Sequence, residues 1–300
     1  MSEHSFLLGL IGRNILGSLS PALHEDALAA LGRRGHYHLM DLDVLTGRRL
    51  PDLIAAIRAA GFAGINVTYP CKEEVIPLLD DVTREARQIG AVNTVTVDPS
   101  GRLLGHNTDR IGFRRGFEEA FGGAAIAGKT AALIGAGGAG RAVAFALLDL
   151  GAACLLVHDT DKGRAAALAA NLVQHCGPQR ARLVGNLDAE LPAACGLVNA
   201  TPLGMRGFPG NPIAPHLIQA HHWVADVIYT PLETELLALA RAKGCRTMNG
   251  GGMSVHQAVA AFHLWTGLDA DLERVRTTFA KAAAARDAAY AKAQEPARAG

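Results

Sequence analysis

The sequence predicts a two-domain α/β protein, a mainly parallel N-terminal sheet followed by a Rossmann dinucleotide-binding domain. Three observations lead there. Strand-length apolar runs alternate with helical patterns, and the alternation restarts in the middle third. The run "GAGGAG" joins an apolar strand to an amphipathic helix. The chain has 300 residues, 49% of them apolar, which is more than one core usually accommodates.

The elements follow in order. "FLLGLIG" reads as a buried strand. "SPALHEDALAALG" reads as a helix with Ser20 as N-cap, Pro21 in the first turn and Gly32 at the end. "HYHLMDLD" is a second strand, "LPDLIAAIRAAG" a second helix and "GINVT" a third strand. "KEEVIPLLD" is expected to start another helix. "AVNTVTVDPSGRLLGHNTD" reads as a hairpin with Asp98-Pro99-Ser100-Gly101 as its turn. The helix "RIGFRRGFEEAFGG" follows, and the domain boundary is expected near Asp109–Arg110.

The second series runs "TAALIGAGGAGRAVAFALLDLG", "CLLVHD", "RAAALAANLVQHCG", "ARLVGN", "GLVNAT", "WVADVIY", "ELLALARAKG" and "RTMN". After the triple glycine at 250–252, a candidate hinge, the chain is expected to be helical until "EPARAG", which is expected to fray.

Composition excludes several classes. A net charge of +1 gives no global attraction to nucleic acid or an anionic membrane. The N-terminal apolar run is short and follows Glu3, unlike a signal peptide, and no apolar stretch spans a bilayer. Cys71, Cys154, Cys176, Cys195 and Cys245 are scattered and odd in number, which suits a reducing cytoplasm without structural zinc. The pairs His36/His38 and His221/His222 have no ligand-spaced partners, so no metal is expected.

The glycine motif carries a mechanism. Gly135 permits the tight turn, Gly137 lets backbone approach a pyrophosphate, and Gly140 lets the helix pack closely. The loop residues Gly135, Ala136, Gly137, Gly138 and Ala139 then present helix N-terminal N–H groups to phosphates. Asp159 ends the next strand, about 20 residues beyond the motif, where an acid binds the adenosine ribose diol. That acid repels a 2′-phosphate and favours NAD, with NADP kept open by Lys162 and Arg164 just after it.

Polar residues also gather at the strand ends of the first domain. Ser18 and Ser20 share a face if their segment is extended, and two hydroxyls then suit one carboxylate. Asn66 and Thr68 share a face of their strand end, Pro70 turns the chain, and Lys72 opens the next element. Ligands of open α/β sheets bind at such carboxyl ends. Asn93 is expected in a strand, with Asn107, Thr108 and Asp109 at the boundary. Amides donate and accept at once, which suits a polyhydroxylated ligand.

Seven motifs, "SLSPALH", "GINVTYPCK", "GAVNTV", "GHNTD", "GAGGAG", "NATPLGM" and "GGGMSVHQAVAAFHLWTG", resemble the shikimate dehydrogenase family in its order and over nearly the whole chain. "VHDTDKGRA" looks closest to the NAD-dependent quinate/shikimate branch. The resemblance implies a substrate domain of residues 1–109, a Rossmann domain of residues 110–251, and C-terminal helices in 252–300 packing back on the first domain.

It also implies oxidation of the C3 hydroxyl of shikimate or quinate, with Lys72 and Asp109 as the catalytic pair. Ser18 and Ser20 would hold the carboxylate. Asn66, Thr68, Asn93, Asp109 and Gln257 would hold ring hydroxyls, and Tyr229 would lie near the substrate. Thr201, Leu203, Met205, Val227, Gly252 and Met253 would line the cofactor side, with Asp159 and Arg164 at the ribose. A monomer or homodimer is expected. The rival readings are an NADP-dependent biosynthetic shikimate dehydrogenase, a folate-linked dehydrogenase and a non-catalytic NAD sensor.

Overall fold

A computed structural model describes residues 5–294, which form two compact units. The expected fraying of "EPARAG" lies outside the described residues.

The first unit runs up to Thr83, resumes at Val92–His106 and closes with helical residues from Ala258 onward. Strands β1 (Ser5–Gly12), β2 (Arg34–Asp41) and β3 (Gly64–Val67) alternate with helices α1 (Ser20–Ala30) and α2 (Leu50–Ala59). Short β4 (Asp81–Val82) precedes β5 (Thr94–Val97) and β6 (Leu103–His106). The sheet order is β2-β1-β3-β5-β6-β4. Pairs of β1 with β2 and β3 are parallel, because a helix carries the chain back each time. The β5–β6 hairpin then adds antiparallel pairs.

Its turn is the expected one. Gly101 has φ +83°, its N–H donates to the Asp98 carbonyl, and the Asp98 carboxylate accepts from the N–H groups of Ser100 and Arg102.

Arg84–Ile89 forms α3, a short helix of the second unit that the sequence pattern did not announce. The "KEEVIPLLD" expectation needs correction. Residues after Pro70 form turns and a 3-10 segment at Ile76–Leu78, not an α-helix. Pro77 has no N–H to continue a helical ladder.

The second unit is an all-parallel sheet. α4 (Asp109–Phe121) leads to β7 (Thr130–Ile134), α5 (Gly138–Asp149), β8 (Cys154–His158), α6 (Lys162–Cys176) and β9 (Ala181–Leu183). Then come α7 (Leu187–Glu190), β10 (Gly196–Asn199), β11 (Trp223–Asp226), α8 (Glu235–Ala242) and β12 (Arg246–Met248). The order β12-β11-β10-β7-β8-β9 is the doubly wound arrangement, and the winding reverses between β7 and β10. Its central strands are buried on both faces, so they read as continuous apolar runs.

α9 (Gly250–Thr266) and α10 (Leu272–Gln294) end the described chain. α10 returns to α1: Arg274 makes a bidentate pair with Asp26 at 2.8 and 2.7 Å, and Thr278 donates to the same carboxylate. Trp265 of α9 donates to the Val95 carbonyl of β5 at 2.9 Å. The triple glycine lies inside the first turn of α9. A Cβ at Gly250 would lie 2.1 Å from the Val227 carbonyl oxygen, so the absent side chain serves close packing there.

Candidate active site

In the first unit, the polar residues collect at the carboxyl ends of β1 and β3. β1 ends at Gly12, and the loop after it is held by the buried carboxylate of Asp41. That carboxylate accepts from the N–H groups of Ile15 at 2.8 Å, Asn14 at 3.2 Å and Asp43 at 3.0 Å. Motif reading missed Asp41, although an acid ending a strand beside a loop start is a usable signal.

The loop delivers Ser18 and Ser20, both half-buried. Their segment is a turn, not extended: Leu19 is α-region and is the N-cap, and Ser20 is the first helical residue. The Ser18 hydroxyl accepts from the Ser20 N–H at 3.3 Å, so a local turn hydrogen bond replaces the side-chain cap. Pro21 sits in the first turn as expected.

Asn66 pairs in register with Leu10 and Thr94. Its Oδ1 accepts from the Tyr37 hydroxyl at 2.7 Å, and its Nδ2 donates to the Asn93 carbonyl and the Thr94 hydroxyl, both at 3.1 Å. Thr68 follows the strand, with its N–H bonded to the Ile11 carbonyl. Asn93 is buried and lies one residue before β5, not within it. Its carbonyl also accepts from the Val67 N–H.

Lys72 lies in the turn after β3, half-buried, and its carbonyl accepts from the Val92 N–H at 2.8 Å. Cys71 beside it is buried and unpaired, and burial pushes its thiol up to about 11. It stays a thiol at neutral pH and is no nucleophile.

In the second unit, Asp109 opens α4 and is buried. α4 crosses α9 closely: a Cβ at Gly112 would lie 2.7 Å from the Met253 carbonyl and 3.0 Å from Gln257, and one at Gly116 3.1 Å from the Met253 N. The spacing of Gly112 and Gly116 was the overlooked signal of that crossing. Gln257 is thereby held beside Thr108, whose hydroxyl lies 3.5 Å from its Oε1. The Gln257 amide donates to the Ser254 carbonyl.

The glycine loop sits at the reversal of the sheet. Gly135 has φ +106°, and a Cβ there would lie 2.7 Å from the Ala200 backbone. A Cβ at Gly140 would lie 2.0 Å from the Gly135 carbonyl oxygen. One at Gly137 would meet nothing within 4 Å. Two glycines are therefore required by the fold, and the third leaves open space at a helix N-terminus. This fits a pyrophosphate.

Asp159 lies just beyond β8. Its Oδ2 accepts from the Ala136 N–H at 2.7 Å and its Oδ1 from the Asp161 N–H at 2.9 Å. The cap of α6 is Asp161, not Asp159. Arg164 lies 3.6 Å from Asp161, both exposed.

Across the reversal stands the loop after β10. The Asn199 Oδ1 accepts from the Thr201 N–H at 2.9 Å and hydroxyl at 2.7 Å, and its Nδ2 donates to the Leu203 carbonyl at 3.2 Å. Leu203 is 38% exposed, an apolar side chain presented on the loop that carries Thr201 and Met205. Val227 follows β11, its N–H on the Asn199 carbonyl, and Tyr229 lies two residues on. Gly252 and Met253 lie in the first turn of α9.

Among the described residues, no group of three or more His, Cys, Asp or Glu is placed to hold a metal ion. No described helix is long and apolar enough to cross a membrane.

Comparison with known proteins identifies this arrangement. A family model for the shikimate dehydrogenase substrate binding domain matches residues 10–95, and one for the shikimate 5'-dehydrogenase C-terminal domain matches residues 250–278. The quinate/shikimate dehydrogenase (NAD(+)) of Corynebacterium efficiens is 46% identical over 283 residues, 93% of this chain and 99% of that protein. The chain belongs to the shikimate dehydrogenase family.

Among other family members, the shikimate dehydrogenase (NADP(+)) of Streptomyces avermitilis is 47% identical over 94% of this chain and 98% of its own length. The quinate dehydrogenase of Corynebacterium glutamicum, solved in complex with NAD, superposes with a TM-score of 0.85 at 44% identity, covering 92% of this chain and 99% of that one. Family membership accounts for the two-sheet architecture and the C-terminal helices.

Proposed function

We propose that this chain is an NAD-dependent quinate/shikimate dehydrogenase, an oxidoreductase that reversibly oxidises the C3 hydroxyl of a cyclic polyhydroxy acid. The observation that carries the cofactor half is Asp159, a carboxylate pinned by the Ala136 N–H at the end of β8. Held there, it accepts hydrogen bonds from a ribose diol and repels a 2′-phosphate. Arg164 stands 3.6 Å from Asp161, both exposed, a surface pair too weak to hold it away from the ribose. The NAD-linked relatives support this reading over the NADP-dependent alternative.

The roles are assigned residue by residue. Ser18 and Ser20 hold the substrate carboxylate. Asn66, Thr68, Asn93 and Gln257 hold ring hydroxyls, and Tyr229 borders the ring. Gly135 to Ala139 and Asp159 hold the dinucleotide, with Thr201, Leu203, Met205, Val227, Gly252 and Met253 on its nicotinamide side.

The bound cofactor supplies the hydride acceptor. The chain supplies proton transfer: the substrate hydroxyl becomes acidic as its carbon loses hydride, and Lys72 shuttles that proton. Asp109 orients the ammonium and balances its charge. Proton transfer by a placed group is worth about 10²–10⁴-fold in rate.

On the same reading, residues 1–109 and 252–300 serve the substrate and residues 110–251 the dinucleotide. The enzyme works in the cytoplasm as a monomer or homodimer. The test follows NADH and NADPH absorbance with shikimate and with quinate. Turnover with NAD and either acid is the expected result, and no turnover with both acids and both cofactors overturns the proposal.

A further inference from the structure

The second unit contains a buried polar clasp that no cofactor contact explains. Asp226, at the end of β11, is fully buried. Its Oδ1 accepts from the Asn199 amide at 3.1 Å and the Ile228 N–H at 3.0 Å. Its Oδ2 accepts from the Thr234 hydroxyl at 2.8 Å. Thr234 in turn caps α8, accepting from the Leu237 N–H.

All three partners are donors, so a carboxylate suits the position and an amide does not. An amide would turn its own N–H onto another donor. Its influences are burial and these three hydrogen bonds, with no charged side chain among them. Burial raises its carboxyl to about 6, with the three donors pulling the other way.

The clasp reaches two loops at once. Through Asn199 it holds Thr201 and Leu203, since the Asn199 amide bonded to Asp226 also donates to Leu203 while its oxygen accepts twice from Thr201. Through Ile228 and Thr234 it brackets the segment 228–234. Asn199 and Asp226 are in register across β10 and β11, so the connection is a single cross-strand step. The two loops also bond directly, the Arg206 N–H on the Thr230 carbonyl.

We propose that Asp226 is a positioning residue for the dinucleotide, acting through Asn199 and Thr234 to fix the 199–205 loop in the shape that receives NAD. The inference rests on the reading that this loop borders bound cofactor. A residue that merely stabilised the sheet would lower the unfolding midpoint and leave the kinetics of folded enzyme unchanged. A positioning residue raises the Michaelis constant of the cofactor specifically.

The test compares Asp226→Asn, Thr234→Val, Thr234→Ser and Leu203→Ala with the parent protein. It measures KM for NAD, KM for the hydroxy acid, kcat at saturating NAD, NADH binding by fluorescence, and the thermal midpoint. Asp226→Asn and Thr234→Val should raise KM for NAD and weaken NADH about tenfold, with kcat at saturating NAD within about twofold. Thr234→Ser keeps the hydroxyl and should restore the parent value. If Asp226→Asn fails to fold, the two Thr234 variants carry the test.

Leu203→Ala separates the two levels of argument. If it weakens NAD while folded clasp variants do not, the loop reading stands and the role of Asp226 is refuted. If Leu203→Ala leaves NAD binding unchanged, the loop is not part of the cofactor site and the proposal falls with it.

Discussion

The Tyr37 hydroxyl donates to Oδ1 of Asn66 at 2.7 Å, while both amide hydrogens of Asn66 are directed to Asn93 and Thr94. Asn66 therefore keeps only acceptor capacity on Oδ1 for a ligand hydroxyl. Replacing Tyr37 with Phe removes the donor and leaves a buried oxygen short of a partner. The expected cost is about 1–3 kcal/mol of stability, with a severalfold rise in KM for the hydroxy acid and none for NAD. Denaturant unfolding and initial rates check this, and an unaltered KM would show that the Tyr37 bond does not set the amide.

Lys72 is assigned the proton transfer. Lys72→Ala should lower kcat by about 10²-fold or more, with a smaller change in KM for the acid. Parental turnover in the alanine variant would remove Lys72 from the chemistry.

Asp159 accepts from the Ala136 N–H, and on the proposed reading it also holds the ribose diol. Asp159→Ala should weaken NAD and relax the bias against NADP, shifting the kcat/KM ratio of the two cofactors by about tenfold. Competing rates with NAD and NADP measure the ratio, and an unchanged preference would sink the ribose assignment.

The glycines of the loop make different demands. Gly140→Ala forces a methyl against the Gly135 carbonyl and should destabilise the fold by several kcal/mol. Gly137→Ala meets no protein atom, so the protein should fold normally and lose NAD affinity instead. Thermal midpoints and NADH titration separate the two effects. Normal NADH binding by Gly137→Ala would count against a pyrophosphate there.

His24 predicts a pH effect. It is buried, stacked on Tyr37 with centroids 4.9 Å apart, and burial lowers it to about 3. Below pH 6.5 the unfolded chain binds a proton that the native His24 does not, so stability falls as pH drops. Between pH 6.5 and 5 this costs about 2 kcal/mol. Burial lowers His222 to about 4, with the same sign. Asp226, raised to about 6, acts oppositely below pH 6, because the native state binds its proton first. His24→Phe leaves those two groups in place, so the stability lost between pH 7 and pH 5 should shrink by about 2 kcal/mol. Urea unfolding of both proteins at both pH values measures this, and equal losses would refute it.

Much of the fold was legible in short windows of sequence. The alternation of strands and helices, the Asp98–Gly101 turn and the glycine loop depend on neighbouring residues, so each leaves a local pattern. The helix expected after Lys72 failed because the apolar pattern was read past Pro77. The extended geometry expected for Ser18 and Ser20 failed because the loop bonds to itself and to Asp41 instead.

The sequence by itself determined which residue types stand at the strand ends and the order in which strands and helices occur. Tertiary structure decided what those residues do. Asn66 meets Tyr37, and Asp226 meets Asn199, across adjacent or next-adjacent strands. Each bond joins residues far apart in the chain, so its existence depends on strand register and sheet order. A side chain's donors and acceptors are committed only when distant backbone brings their partners within about 3 Å, and no local pattern records that distance.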